Sequence, residues 1–243
     1  NRKSRPRSSR GRLHYFIKLF PFRPGHVIMK ADHMREANNK MSIKESNEIT
    51  IKITCELPEF YEILESKGFS PVSRFSMDDS YFAPMSLNIK NMTARKILSK
   101  AVLVREIRNP DTNHILKRLT YKAKEFGASG EILHQTAVNC EILNLEDAKN
   151  LLSALGYREL MRIVEDDIVY EKDGFELAVK DIHGGDKLIE IETEPDKNEL
   201  DTVEKLKQKL LSLHLPVDGS NFFVKKAEVA LENILREANG RNA

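Results

Sequence analysis

Cysteine is scarce in this 243-residue chain: Cys55 and Cys140 are the two it has. They stand far apart with no CxxC pairing, which excludes a disulfide framework and a cysteine zinc site. They read as two buried thiols in a reducing, cytoplasmic setting. No stretch approaches the ~18 consecutive apolar residues that a membrane-spanning helix requires, so no membrane partner is expected. A P-loop, a Gly-rich dinucleotide fingerprint and a Ser-His-Asp arrangement are missing too. His183, beside Gly184-Gly185, reads as an exposed turn residue and not as a catalytic base. Hydrophobic residues make up 40% of the chain, enough for a packed core.

The net charge of +2 hides an asymmetry. Residues 1–40 carry eleven Lys or Arg against Asp32 and Glu36, a balance of +9, and the remainder therefore sums to −7. The opening stretch sets Arg2, Lys3, Arg5, Arg7, Arg10 and Arg12 among Ser, Pro and Gly, the composition of an unfolded basic extension. Such an arm binds polyanions, so nucleic acid enters as a partner through residues 1–40 alone. A mitochondrial presequence has the same composition. The expected organisation is this extension, 1–40, followed by one domain over 41–243.

From Glu48 the chain alternates strictly, with Glu48, Thr50, Lys52 and Thr54 on one side and Ile49, Ile51 and Ile53 on the other. This is a strand with one apolar and one polar face. A helix opened by Pro58 and closed by Gly68 follows. Next come a strand around 72–75, a short one near Tyr81, a loop or lid with a short helix over 84–100, and strands over 101–107 and 115–124. The second half repeats the first. Gly68-Phe69 is followed by Arg74, Asp78 and Asp79, and Gly156-Tyr157 is followed at the same offsets by Arg162, Asp166 and Asp167. Asp173-Gly174 marks a hairpin between strands at 162–170 and 175–182. A strand at 187–194 and helices at 197–213 and 225–238 finish the chain. A β-α-β-β-β unit used twice predicts an α+β fold: about eight antiparallel strands closed into a barrel and flanked by helices.

Chemistry is expected on the polar strand faces. Glu190, Glu192 and Glu194 form one row, and Arg118, Thr120, Lys122 and Lys124 another. Arg105 is a lone cation among Ala101, Leu103 and Ile107. Each row alone is also what a solvated sheet face looks like. Enclosed together, carboxylates would suit a hard divalent cation and the cations would suit phosphate oxygens.

These residues are where the chain resembles the CYTH superfamily, which includes class IV adenylyl cyclases, thiamine triphosphatases and inorganic triphosphatases. Its opening Glu-x-Glu-x-Lys strand reads here as Glu48-Ile-Thr50-Ile-Lys52, and its Asp-x-Tyr-Phe element as Asp79-Ser80-Tyr81-Phe82. Its Leu-Arg-x-Arg strand is represented by Val102-Leu103-Val104-Arg105, and its Thr-Tyr-Lys element by Thr120-Tyr121-Lys122. Its closing elements match Asp181 and Glu190-Ile191-Glu192. The resemblance spans about residues 48–194. It implies a triphosphate tunnel in which Glu48, Glu190 and Glu192 hold Mg²⁺ or Mn²⁺. Lys52, Arg105 and Lys122 would be catalytic, those three with Lys124 would bind phosphates, and Asp181 and Tyr81 would line the tunnel. Nucleoside triphosphate, thiamine triphosphate or inorganic polyphosphate would be the ligand, and a homodimer is compatible with it.

The chain departs from the pattern at Thr50, at Leu103 and at Glu165-Asp166-Asp167, where the family carries a carboxylate, an arginine and basic residues. Three functions follow as expectations. The first is a metal-dependent triphosphatase or class IV-type cyclase. The second is a tunnel that binds but no longer turns over. The third is a polyanion-binding scaffold using the basic arm.

Overall fold

A computed structural model describes residues 42–44, 47–128, 130, 132–193 and 202–240, and the basic extension lies outside them. Nine strands form one antiparallel sheet: β1 (Ser42–Lys44), β2 (Asn47–Lys52), β3 (Ser70–Pro84), β4 (Val102–Asn109), β5 (His114–Phe126), β6 (Ile132–Glu141), β7 (Tyr157–Lys172), β8 (Phe175–Ile182) and β9 (Lys187–Thr193). The helices are α1 (Leu57–Ser66), α2 (Ala94–Leu98), α3 (Leu145–Ala154), α4 (Val203–Ser212) and α5 (Lys226–Gly240). The duplicated unit is present as β2-α1-β3-β4-β5 and β6-α3-β7-β8-β9.

The two halves meet at β3 and β7, which pair along nearly their whole length. The sequence offset between them is 88 residues, and Met77 pairs with Glu165, its own counterpart in the repeat. The local two-fold axis therefore passes between these residues. Two short strands were expected where β3 runs unbroken for 15 residues. Both halves end their helix alike, with Gly68 at φ +86° and Gly156 at φ +82°. At the first, the Phe69 amide donates to the Leu64 carbonyl at 3.0 Å and the Gly68 amide to that of Glu65 at 2.9 Å, which uses up the last carbonyls of α1. Asp173 and Gly174 both take positive φ, as the tight β7–β8 hairpin demands.

The expected closed eight-stranded barrel needs correction. The hydrogen-bonded order is β1-β6-β5-β4-β3-β7-β8-β9-β2, and no pairing joins β1 to β2 among the described residues. The free edge of β2 is taken instead by residues 216–224. The Thr50 amide donates to the Phe222 carbonyl and the Val224 amide to that of Thr50, both at 2.9 Å. The Asp218 amide reaches the Lys52 carbonyl at 2.8 Å, and the Thr54 amide the Pro216 carbonyl at 2.9 Å. Covering an edge with irregular chain satisfies the same backbone groups that a strand would.

Apolar side chains lie on the outer face of this curled sheet. Ile49, Ile51, Leu177, Val179, Ile189 and Ile191 pack under α1 and α4, which contribute Phe60, Leu64, Leu206 and Leu210. Each such fully buried side chain contributes about 1.5–3 kcal/mol. A second cluster, on the inner face, joins Tyr81, Leu103, Ile163 and Leu188 to α2 and α5. The thiols are less hidden than expected, since Cys55 is partly buried and Cys140 is exposed. No helix among the described residues is long and apolar enough to cross a membrane.

Candidate functional site

Strand alternation sends the polar residues of β2, β5, β7, β8 and β9 to the inner face. There a cavity of about 530 Å³ collects Glu48 and Thr50, Tyr81, Arg105, Arg118, Lys122 and Lys124, Lys180, and Glu190 and Glu192. Of the residues expected in the site, Glu48, Tyr81, Arg105, Lys122, Lys124, Glu190 and Glu192 thus come together. Lys52 and Asp181 do not. Lys52 sits at the end of β2, where its ammonium pairs with Asp186 of the β8–β9 turn at 2.5 Å. Asp181 pairs with Lys187 on the opposing strand. Its neighbour Lys180 is the one that points inward, because successive side chains of a strand face opposite ways.

Behind the cavity the interior is filled with paired charge. Arg105 is buried and spends its Nε and Nη2 hydrogens on Asp79, at 2.6 and 2.5 Å. Burial works against that guanidinium's charge, but Asp79 outweighs it and holds the pKa above its usual value. Lys180 donates to Asp167 at 2.7 Å and lies 3.5 Å from Glu190 and 3.7 Å from Glu165. Glu165 also takes the ammonium of Lys226. The acidic run of β7 therefore splits by parity. Glu165 and Asp167 face inward, and Asp166 turns outward to His183 at 2.8 Å. His183 is an exposed turn residue, as expected.

Three cations face the cavity from β5: Arg118, Lys122 and Lys124. Lys122 is partly buried, and its pKa is pulled down to about 7 by burial, then by Arg105 and Lys124, against the pull of Glu48 and Asp79. Thr120, fully buried on the same strand, donates to Asn139 at 2.9 Å. Arg95 and Lys96 of α2 line the outer part of the cavity. Arg95 makes a two-pronged bond to Glu228 of α5, at 2.9 and 3.0 Å, and stacks 4.2 Å over Phe126.

Pairing in register sets Glu48 opposite Glu192 and Thr50 opposite Glu190, so the carboxylates expected to hold a metal do share one wall. Ammonium groups are already against them. Lys225 stands 3.4 Å from Glu48, and Lys180 serves Glu190. Burial raises the Glu48 pKa, but Lys124, Lys225 and Lys122 overcome it and hold the group at about 2. Among the described residues no three His, Cys, Asp or Glu side chains are grouped to hold a metal ion. A divalent ion needs several oxygens within about 2.0–2.6 Å, and this arrangement does not offer them.

Lys180, Lys225, Lys226 and Asp79 went unassigned in the sequence. Lys225 and Lys226 have no strand pattern to betray them. They reach the cavity because residues 216–224 are tied to β2, which delivers the next two side chains beside Glu48 and Glu165.

No protein-family model matches the chain, and neither does any curated protein. Solved structures do. The PH1819 protein from Pyrococcus horikoshii OT3 matches with a TM-score of 0.59 at 21% identity, over 78% of this chain and 99% of that one. A conserved hypothetical protein from Pyrococcus furiosus gives 0.50 at 22%, over 74% and 98%. The Hippeastrum protein HpAC1, described as having a dominant triphosphatase activity, gives 0.49 at 13%, over 80% and 96%. At these identities the likeness is one of fold alone.

Proposed function

We propose that the chain binds a triphosphate-bearing small molecule, with the phosphate chain laid against β5. The observation that carries this reading is the row of Arg118, Lys122 and Lys124 facing one cavity, with no carboxylate on that strand's inner face between them. Lysine offers phosphate a compact point charge and arginine a planar fork. The volume of about 530 Å³ suits one small ligand. Leu98, Leu103 and Phe126 supply apolar surface beside the cations, which favours an organic triphosphate such as a nucleotide or thiamine triphosphate over bare polyphosphate. Thermal unfolding against tripolyphosphate, ATP and thiamine triphosphate tests it. A ligand at ~100 times its dissociation constant stabilises by about 2.7 kcal/mol. No shift with any of the three ends the reading.

Turnover is a second reading, favoured by Lys122 alone. An ammonium whose pKa lies at about 7 gives up its proton readily at neutral pH and suits the role of acid toward a departing phosphate oxygen. Release of inorganic phosphate, or formation of cyclic AMP from ATP, from the same samples is its readout.

Lys122 also makes binding proton-linked. An anion beside it raises its pKa, so between pH 7 and that higher value the ligand brings a proton with it. Affinity should fall as pH rises above about 7. Calorimetric titrations at pH 8 in two buffers of different ionisation enthalpy should register proton uptake that Lys122→Met lacks. Equal uptake by both proteins would place the linkage on the ligand.

A further inference from the structure

The two carboxylates nearest the cationic wall are each answered by a lysine from a separate part of the chain. Lys225 stands 3.4 Å from Glu48, and Lys180 stands 3.5 Å from Glu190. The first contact is built in by the backbone. The Val224 amide is fixed to the Thr50 carbonyl, two residues from Glu48 and on the same face of β2. The strip carrying Lys225 is anchored from outside as well, where the Lys207 ammonium lies 5.4 Å over Phe222 and 4.9 Å over Phe223. Lys225 keeps little exposure, 11% of its side chain.

Charge around the cavity already favours an anion. Nine Lys and Arg line it against four carboxylates. In a site whose carboxylates stand free, those groups repel a phosphate chain until a divalent cation bridges the two. Here each of these two carboxylates is offset from within.

We infer that the ammonium groups of Lys225 and Lys180 stand where a divalent cation would bridge Glu48 and Glu190 to the phosphates, so that this cavity takes its triphosphate ligand without a metal. This rests on the triphosphate reading above. Lys225 is then a positioning residue for the ligand: its charge holds Glu48 in check while its remaining hydrogens face the cavity. Removing it takes away the ammonium that stands 3.4 Å from Glu48, and brings with it a need for metal.

The test is calorimetric titration of the full chain with inorganic tripolyphosphate, in EDTA and again with Mg²⁺ or Mn²⁺ in excess of the ligand. The wild-type dissociation constant is expected to agree within about threefold between the two conditions. Lys225→Met should bind at least tenfold more weakly in EDTA and recover when Mn²⁺ is supplied. Mn²⁺ alone, followed by its paramagnetic resonance signal, should bind that variant and not the wild type. Wild-type binding that needs Mg²⁺ or Mn²⁺ overturns the inference and leaves the triphosphate reading standing. Absence of binding in both conditions, with ATP and thiamine triphosphate as well as with tripolyphosphate, overturns both. The wild-type comparison decides the matter even if the variant fails to fold.

Discussion

Replacing Lys180 by Met is expected to destabilise the chain by about 3–5 kcal/mol at pH 7, the cost of breaking a buried ion pair by removing one partner. Lys180 is 3% exposed, and its ammonium serves Asp167, Glu190 and Glu165. Burial alone would lower its pKa, but those three carboxylates raise it well above the usual value. Asp167 and Glu165 are about as deeply buried, and each has a second oxygen with no hydrogen-bond partner among the described residues. Methionine would match the stem and leave that negative charge unanswered except by Lys226.

The deficit should depend on pH in a defined direction. Burial, stronger than the attraction of Lys180, raises the Asp167 pKa from 3.8 to about 6. The folded chain therefore holds this proton more tightly than the unfolded one, and the group's contribution to stability declines as pH rises from about 4 to 6. Without Lys180 the upper end of that window moves higher still. Lys180→Met should then be weakest at neutral pH and regain part of its loss near pH 5, where Asp167 is protonated. Urea unfolding at the two pH values measures this. An equal loss at both would assign the effect to packing and not to charge.

The second large effect concerns affinity. Each charge-assisted contact to phosphate is worth about 1.5–3 kcal/mol, and every 1.4 kcal/mol is tenfold in binding. The double variant Lys122→Met, Lys124→Met should therefore bind tripolyphosphate at least ~100-fold more weakly. Its fold should survive, since the two ammonium groups repel one another and burial disfavours the charge on Lys122. Calorimetry for affinity and thermal unfolding for stability separate the two effects. Unchanged affinity in a folded variant would move the phosphates away from β5.

How far the sequence reached can be judged residue by residue. The alternation at Ile49, Ile51 and Ile53 marked β2 and its buried face correctly, because a sheet with helices on one side and a polar interior on the other obeys period two. The matched Gly68 and Gly156 located both helix ends for a backbone reason, positive φ, that no tertiary contact alters. Parity was harder. Motif order pointed to Asp181, yet its neighbour Lys180 faces the cavity, and a shift of one residue exchanges the two faces of a strand. The run Ser76–Ser80 looked like a break because four of its five residues are polar, yet Asp79 is one of the two that face inward. In an interior built of ion pairs, Asp79 is as much a core residue as a leucine would be. Lys52 lies on the expected face but meets Asp186 at the strand's end, a pairing that depends on turn geometry. Lys225 and Lys226 were out of reach, since their place depends on residues 216–224 lying along a strand more than 160 positions earlier.

That strip along β2 also orders events in time. Thr50 pairs across the sheet with Glu190, 140 residues later, and on its other side with the still later Phe222 and Val224. On a ribosome adding about 5–20 residues per second, β2 waits roughly ten to thirty seconds with both edges open and Ile49 and Ile51 uncovered. The wall is completed only when residues 216–224 arrive. The inner cavity, whose Lys225 and Lys226 come with that strip, is thus assembled long after β2 is made, and a nascent chain stalled short of residue 225 lacks two of the cations that line it.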